Sequence, residues 1–173
     1  MRQKLGFAVS IVLVACIILA TRFHEVDLPL WGFLGGGQRL DPASLHLSGE
    51  FVESNLGTAR GPDGSFTVRM LAQQYLFVPQ CIVVPASVPV HFRITSADVV
   101  HRFTLSGTEF SIKAVPGTVS LFTTEFANTG EFDAPCAEFC GAGHFAMRAR
   151  LRVVPKQELA GMRSDQRNTC EAP

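Results

Sequence analysis

From Cys136 to Met147 the chain reads Cys-Ala-Glu-Phe-Cys-Gly-Ala-Gly-His-Phe-Ala-Met, a short run holding two thiols, an imidazole and a thioether. Thiolate is a soft ligand that suits copper, zinc or iron–sulfur, and imidazole suits copper and zinc. A thioether is a poor zinc ligand and a weak axial ligand of copper. A structural zinc site would usually match one Cys-x2–4-Cys pair with a second, and no second pair occurs in this sequence. Met147 therefore tips the reading toward copper. A mononuclear blue-copper site needs one Cys, two His and a Met, so this loop is short of one His and has one Cys too many. His101, at the start of an upstream strand-like segment, supplies the missing imidazole. Two thiolates four residues apart can bridge two copper ions in a flat core, with His101 and His144 each capping one. Met147 and the backbone carbonyl of Glu138 would then be weak axial ligands. Such a centre carries electrons and makes no bonds. Asp98, just before His101, is expected to hydrogen-bond within its loop and steady that ring.

These ligands need a scaffold that brings one strand end beside a loop between two later strands. Residues 66–71, 88–95 and 148–154 alternate apolar and polar side chains. Shorter strand-like runs lie at 81–84, 102–105, 110–114, 119–125 and 131–134. Turn residues separate them, among them Gly61-Pro62-Asp63-Gly64 and Asn128-Thr129-Gly130. Short strands at this spacing read as a β-sandwich. Residues 156–162 could form a short terminal helix, and 164–173 read as a frayed tail. The expected division is a membrane anchor at 1–22, a linker or interfacial segment at 23–64, a β domain at 65–155, and the short helix with its tail at 156–173. Within the linker, Asp41-Pro42 could open a short helical turn.

Residues 5–20 carry no charge and follow Arg2 and Lys4. That length is at the short end of the ~17–25 residues of a spanning helix, and the basic flank keeps the N-terminus in the cytoplasm. A lipidation signal at Leu13-Val14-Ala15-Cys16 and a cleaved signal peptide compete with this reading. All three export the main domain. Residues 28–34, with the only tryptophan, Trp31, could be interfacial. The formal net charge is +0, which argues against nucleic acid and against a partner held mainly by charge. Cys81 and Cys170 are left over. They could pair in an oxidising compartment, but with Cys170 in a polar tail the plainer expectation is two free thiols. His24, His46 and His91 read as surface residues, and Met70 and Met162 as packing. Arg148, Arg150 and Arg152 line one strand face, either solvated or docked on a partner.

His101 together with Cys-x-Glu-x-Cys-Gly-x-Gly-His-x-x-Met resembles the CuA domain of cytochrome c oxidase subunit II. The segments 94–101 and Ala114-Val115-Pro116-Gly117 resemble the same family. The resemblance implies an all-β, cupredoxin-like Greek-key β-sandwich with one N-terminal transmembrane helix, as in B-type haem-copper oxidases. It implies a binuclear copper centre held by His101, Cys136, Glu138, Cys140, His144 and Met147. It further implies electron receipt from cytochrome c or another periplasmic donor, delivery to haem in subunit I, and a magnesium ion at the subunit I border through Glu138. A further small membrane subunit would fit such a complex. The chain would be a single-pass protein of the inner membrane with its domain on the periplasmic side. The family's aromatic strand with an electron-entry Trp is absent, leaving Tyr75 and Phe103 as the candidates for entry. A copper-bearing subunit of a nitric oxide reductase and a free-standing copper carrier are the alternatives. A nitrous oxide reductase module is disfavoured, since it would typically carry Trp where Glu138 stands.

Overall fold

Strand β2, Phe66–Gln73, places Phe66, Val68 and Met70 on one buried face and Thr67 and Arg69 on the other. This strict alternation is what a sheet covering a core requires. In the computed structural model, which describes residue 14 and residues 40–170, β2 is the hub of the larger sheet. It pairs antiparallel with β1 (Gly57–Arg60) and β3 (Leu76–Val78), and parallel with β5 (Pro89–Ser96). β5 continues antiparallel to β8 (Ser120–Glu125). A second sheet runs β4 (Cys81–Pro85), β10 (Arg148–Val154), β9 (Gly130–Pro135). The hairpin of β6 (His101–Thr104) and β7 (Ser111–Ala114) completes the framework. The shared core includes Val68, Met70, Phe77, Phe92, Phe103 and Leu151, all 0–1% exposed. Helix α1, Lys156–Leu159, follows β10 and buries Leu159.

The strands read from the pattern lie within a residue or two of the observed ones, but β1 and β3 carried no usable signal. β1 is four residues long, and β3 has only three. The stretch before β2 also differs from a bare linker over its described part. Residues 42–44 and 53–55 form 310 turns, and Leu45, Phe51 and Leu56 are buried with Leu71 and Val119 in a second apolar cluster. Their spacing matches neither helix nor strand, so no periodicity revealed them.

Glu50, in that strap, accepts hydrogen bonds from Arg69 Nε (3.0 Å) and Arg93 Nη2 (2.7 Å), two arginines paired across β2 and β5. Burial alone would raise the Glu50 carboxyl, but the two guanidiniums outweigh it and hold the group below its ordinary value. A carboxyl lowered in this way stabilises the fold above its unfolded value and loses that contribution as pH falls through the folded one. Glu50→Gln should therefore cost about 2 kcal/mol at neutral pH and flatten the acid limb of the stability curve. Denaturant melts of both proteins between neutral and acid pH check this. An unchanged acid limb would contradict it.

Over its described part, to residue 170, the tail is not frayed. Asn168 bridges to Thr58 on β1 and Thr169 to Ile82 on β4, so the tail pairs with an edge of each main sheet. Cys170 is disulfide-bonded to Cys81 with Cα atoms 5.0 Å apart, which corrects the expectation of two free thiols. The polar composition of the tail concealed backbone pairing, which side-chain chemistry does not report. Among the described residues no helix is long and apolar enough to cross a membrane. The anchor, the Cys16 lipidation signal, His24 and the interfacial patch at 28–34 all lie outside the described residues. His46 and His91 are exposed, and Met70 and Met162 pack in or against the core.

Candidate metal centre

The site lies where β6 meets the loop between β9 and β10. Cys136 follows β9 and Met147 precedes β10, and the Cys136 N–H donates to the Met147 carbonyl at 3.0 Å, pinching the loop at its neck. Phe103 bridges to Cys136, and the Ala137 N–H donates to the Arg102 carbonyl at 2.9 Å. These main-chain contacts set His101 against the loop. His101, Cys136 and Cys140 bring one ligand atom each within 4.8 Å of one another, and all three are buried. His101 Nδ1 is 3.9 Å from Cys136 Sγ.

His144 begins a 310 turn, 144–146, and its Nδ1 sits 3.5 Å from Cys140 Sγ. It stands against one sulfur and outside the tightest trio. Met147 Sδ is 3.7 Å from Cys140 Sγ, and the Glu138 carbonyl is 3.3 Å from Cys136 Sγ. The soft sulfurs, imidazoles and single carbonyl thus converge from opposite sides, a donor set that fits copper. Burial and the neighbouring Cys136 push the Cys140 thiol up to about 11. Metal binding must therefore release a proton from Cys140.

Asp98 Oδ1 lies 2.8 Å from His101 Nε2, leaving Nδ1 free to face the sulfurs. Burial alone would raise the Asp98 carboxyl. Hydrogen bonds from His101, from the Gln74 N–H (2.7 Å) and from the Val99 N–H (2.6 Å) outweigh it and hold the group below the usual range. Gln74 escaped the sequence reading. Its amide also donates to the Cys140 carbonyl, so one residue braces both the His101 support and the Cys loop.

The two glycines of the loop mark a close approach by Tyr75. A Cβ at Gly143 would fall 2.5 Å from Tyr75 Cδ2 and 2.6 Å from Cγ. Gly141 has φ +129°, and its Cβ would lie 2.6 Å from the Tyr75 hydroxyl. Gly143→Ala should force the ring and loop apart, costing about 1–3 kcal/mol and weakening metal binding. Isothermal titration with copper(I) checks this, and adding Tyr75→Ala should restore affinity. A Gly143→Ala protein that binds copper normally would contradict the packing argument.

Tyr75 is 38% exposed and spans from solvent to the loop. Phe103, the other candidate for electron entry, is fully buried and stacks edge-on against Phe77 and Phe110. A donor protein cannot touch it, so that expectation is corrected. Unread from sequence, Phe139 and Phe145 are 75% and 85% exposed. Their rings flank His144 at centroid distances of 5.7 and 5.4 Å. The Glu138 carboxylate accepts from Arg102 Nε and Nη2 (3.2 and 3.1 Å) and lies 3.7 Å from Lys113 Nζ. A carboxylate held by two cations does not fit a divalent ion. Two of the arginines on β10 meet acids across the strand pair, Arg148 with Asp133 at 3.8 Å and Arg152 with Glu131 at 3.2 Å.

Residues 65–154 match the family model for the periplasmic domain of cytochrome c oxidase subunit II. Over 148 residues the chain is 30% identical to cytochrome c oxidase subunit 2 of Thermus thermophilus, covering 86% of each protein. The chain belongs to the cytochrome c oxidase subunit II family. It is also 37% identical to a probable cytochrome c oxidase subunit 2 of Rickettsia bellii over 87 residues, half of this chain and 32% of that one. Its fold matches a chain of a heme-copper terminal oxidase dimer with TM-score 0.51 at 22% identity, covering 89% of this chain and all of that one. The chain is thus the electron-accepting CuA subunit of a haem-copper oxidase, with a mostly β, cupredoxin-like periplasmic domain. The buried cluster of His101, Cys136, Cys140 and Met147 is consistent with the family's CuA copper site. Membership sets aside the nitric oxide reductase and copper-carrier alternatives.

Proposed function

We propose that this subunit II accepts electrons from a c-type cytochrome and delivers them to haem in subunit I through two copper ions. The convergence of His101, Cys136 and Cys140 inside 4.8 Å carries this reading, because two buried thiols beside an imidazole exceed what one blue-copper ion uses. When bound, a copper pair sharing one electron across two thiolates supplies electron transfer with little geometric change. His101 and His144 would hold one ion each, with Met147 and the Glu138 carbonyl as weak ligands. Asp98 fixes the His101 ring, Gln74 braces both sides, and the buried sulfurs exclude water. The N-terminal segment would anchor the domain on the periplasmic side of the inner membrane, with a further small membrane subunit completing the complex.

We take the donor face to be Tyr75, Phe139 and Phe145: the two exposed Phe rings flank His144, and the half-exposed Tyr75 lies against Gly141 and Gly143 of the same loop. Contact through such a surface is mainly apolar, so electron entry should depend weakly on ionic strength. Stopped-flow reduction of the intact oxidase by reduced cytochrome c tests this. The rate should change little with salt and fall at least about tenfold in Phe139→Ser/Phe145→Ser, a loss of about 1.4 kcal/mol or more. A steep decline with salt, or full rates in the double variant, would contradict the docking face.

A further inference from the structure

Arg102 and Lys113 face each other directly across the β6–β7 hairpin. Like charges in that position repel and need an anion between them. Glu138 supplies it: Arg102 Nε and Nη2 and Lys113 Nζ all address the single oxygen Oε2. Arg102 is oriented further by Ser111, whose hydroxyl accepts from Nη1 at 3.2 Å. The same arginine holds the loop by its backbone, where its carbonyl accepts the Ala137 N–H. Arg102 therefore grips adjacent loop residues, Ala137 by main chain and Glu138 by side chain. Between these grips and Cys140 lies the Glu138 carbonyl, 3.3 Å from Cys136 Sγ.

A divalent cation would find this place hostile. Magnesium demands near-octahedral oxygen ligands. Among the described residues the only group of three or more His, Cys, Asp and Glu side chains close enough to share an ion is His101, Cys136 and Cys140, which excludes the Glu138 side chain. An ion at Glu138 would also meet two positive side chains already on its one carboxylate, giving a local charge of opposite sign to the one it needs.

We infer that Arg102 and Lys113 take the place of a divalent cation at Glu138, neutralising the carboxylate and positioning the Glu138 carbonyl toward the sulfurs. The positioning role rests on the copper reading above; the exclusion of a divalent ion does not. Arg102 is the principal grip, since it makes two hydrogen bonds and Lys113 makes one longer contact. A guanidinium fork cannot be replaced fully by an ammonium, so lysine at position 102 should restore charge but only part of the geometry.

The test uses the intact, copper-loaded oxidase. First, the complex is incubated with Mn2+, washed with a chelator and assayed by EPR and metal analysis, in wild type and Glu138→Gln. Equal manganese in both is expected, and manganese present in wild type but lost in Glu138→Gln would overturn the inference. Second, the copper EPR spectrum and reduction potential are compared across wild type, Arg102→Ala and Arg102→Lys. Arg102→Ala should shift both, and Arg102→Lys should return part of the way. An Arg102→Ala spectrum and potential identical to wild type would overturn the positioning role. A wild type lacking a two-copper signal would instead strike the copper reading itself, leaving the manganese arm to judge cation exclusion alone.

Discussion

Serine in place of Cys140 should lower the copper content to one ion per chain or none and abolish any signal shared by two coppers. Cys140 is 5% exposed and faces His144 and Met147, with His144 Nδ1 at 3.5 Å and Met147 Sδ at 3.7 Å. Cys136 instead faces His101 and the Glu138 carbonyl. Each sulfur therefore serves a different half of the donor set, and only the pair joins the halves. A serine hydroxyl is a hard ligand and does not replace a bridging thiolate on copper. Serine is nearly isosteric, so the fold should survive and the loss should be confined to the metal. Electron transfer through the subunit should fall by about a thousandfold or more, as when a preorganised centre is lost rather than weakened. Copper analysis and EPR of the variant check this. A variant retaining two coppers and an unchanged spectrum would show that Cys140 is not a bridging ligand.

Removing the disulfide by Cys170→Ser should destabilise the domain by about 2–4 kcal/mol, since the bond closes a loop of 89 residues. For a domain of this size that corresponds to a drop of about 10 °C or more in Tm. The loss should be local in structure. The tail would come away from β1 and β4, freeing Thr58 and Ile82 from their bridges to Asn168 and Thr169. The metal loop is tied through β6, β9 and β10, none of which the tail pairs with, so copper binding should persist below the new Tm. Calorimetry with limited proteolysis checks both parts. An unchanged Tm would mean that the tail pairing alone secures the edges.

The metal-binding loop was readable because its chemistry is written locally. Cys136, Cys140, His144 and Met147 fall within one turn-rich segment, and each residue type has a distinct metal preference. The strands were readable wherever one face is buried and the other wet, as in β2, β5 and β10. Legibility ended where structure comes from the backbone or from distant partners. β1 and the tail pair by main chain, so their side chains carry no periodic mark. Leu45, Phe51 and Leu56 are core residues at irregular spacing. Gln74 acts through hydrogen bonds to Asp98 and Cys140, contacts between segments far apart in sequence. Gly141 and Gly143 were visible as motif letters, but their reason, the Tyr75 ring, belongs to another strand connection. A cation at the Glu138 side chain was implied by the family resemblance, which says nothing of the side chains around it in this chain. Its neighbours within this chain, Arg102 and Lys113, become visible only when the β6–β7 register is known.

The central proposal is that Cys136, Cys140, His101 and His144 would together hold two copper ions. EPR of the copper-loaded wild-type chain, with copper counted per chain, tests it most directly. One electron shared equally by two copper nuclei gives seven hyperfine lines, and the account predicts that pattern with two coppers per chain. Four lines with one copper per chain would contradict it.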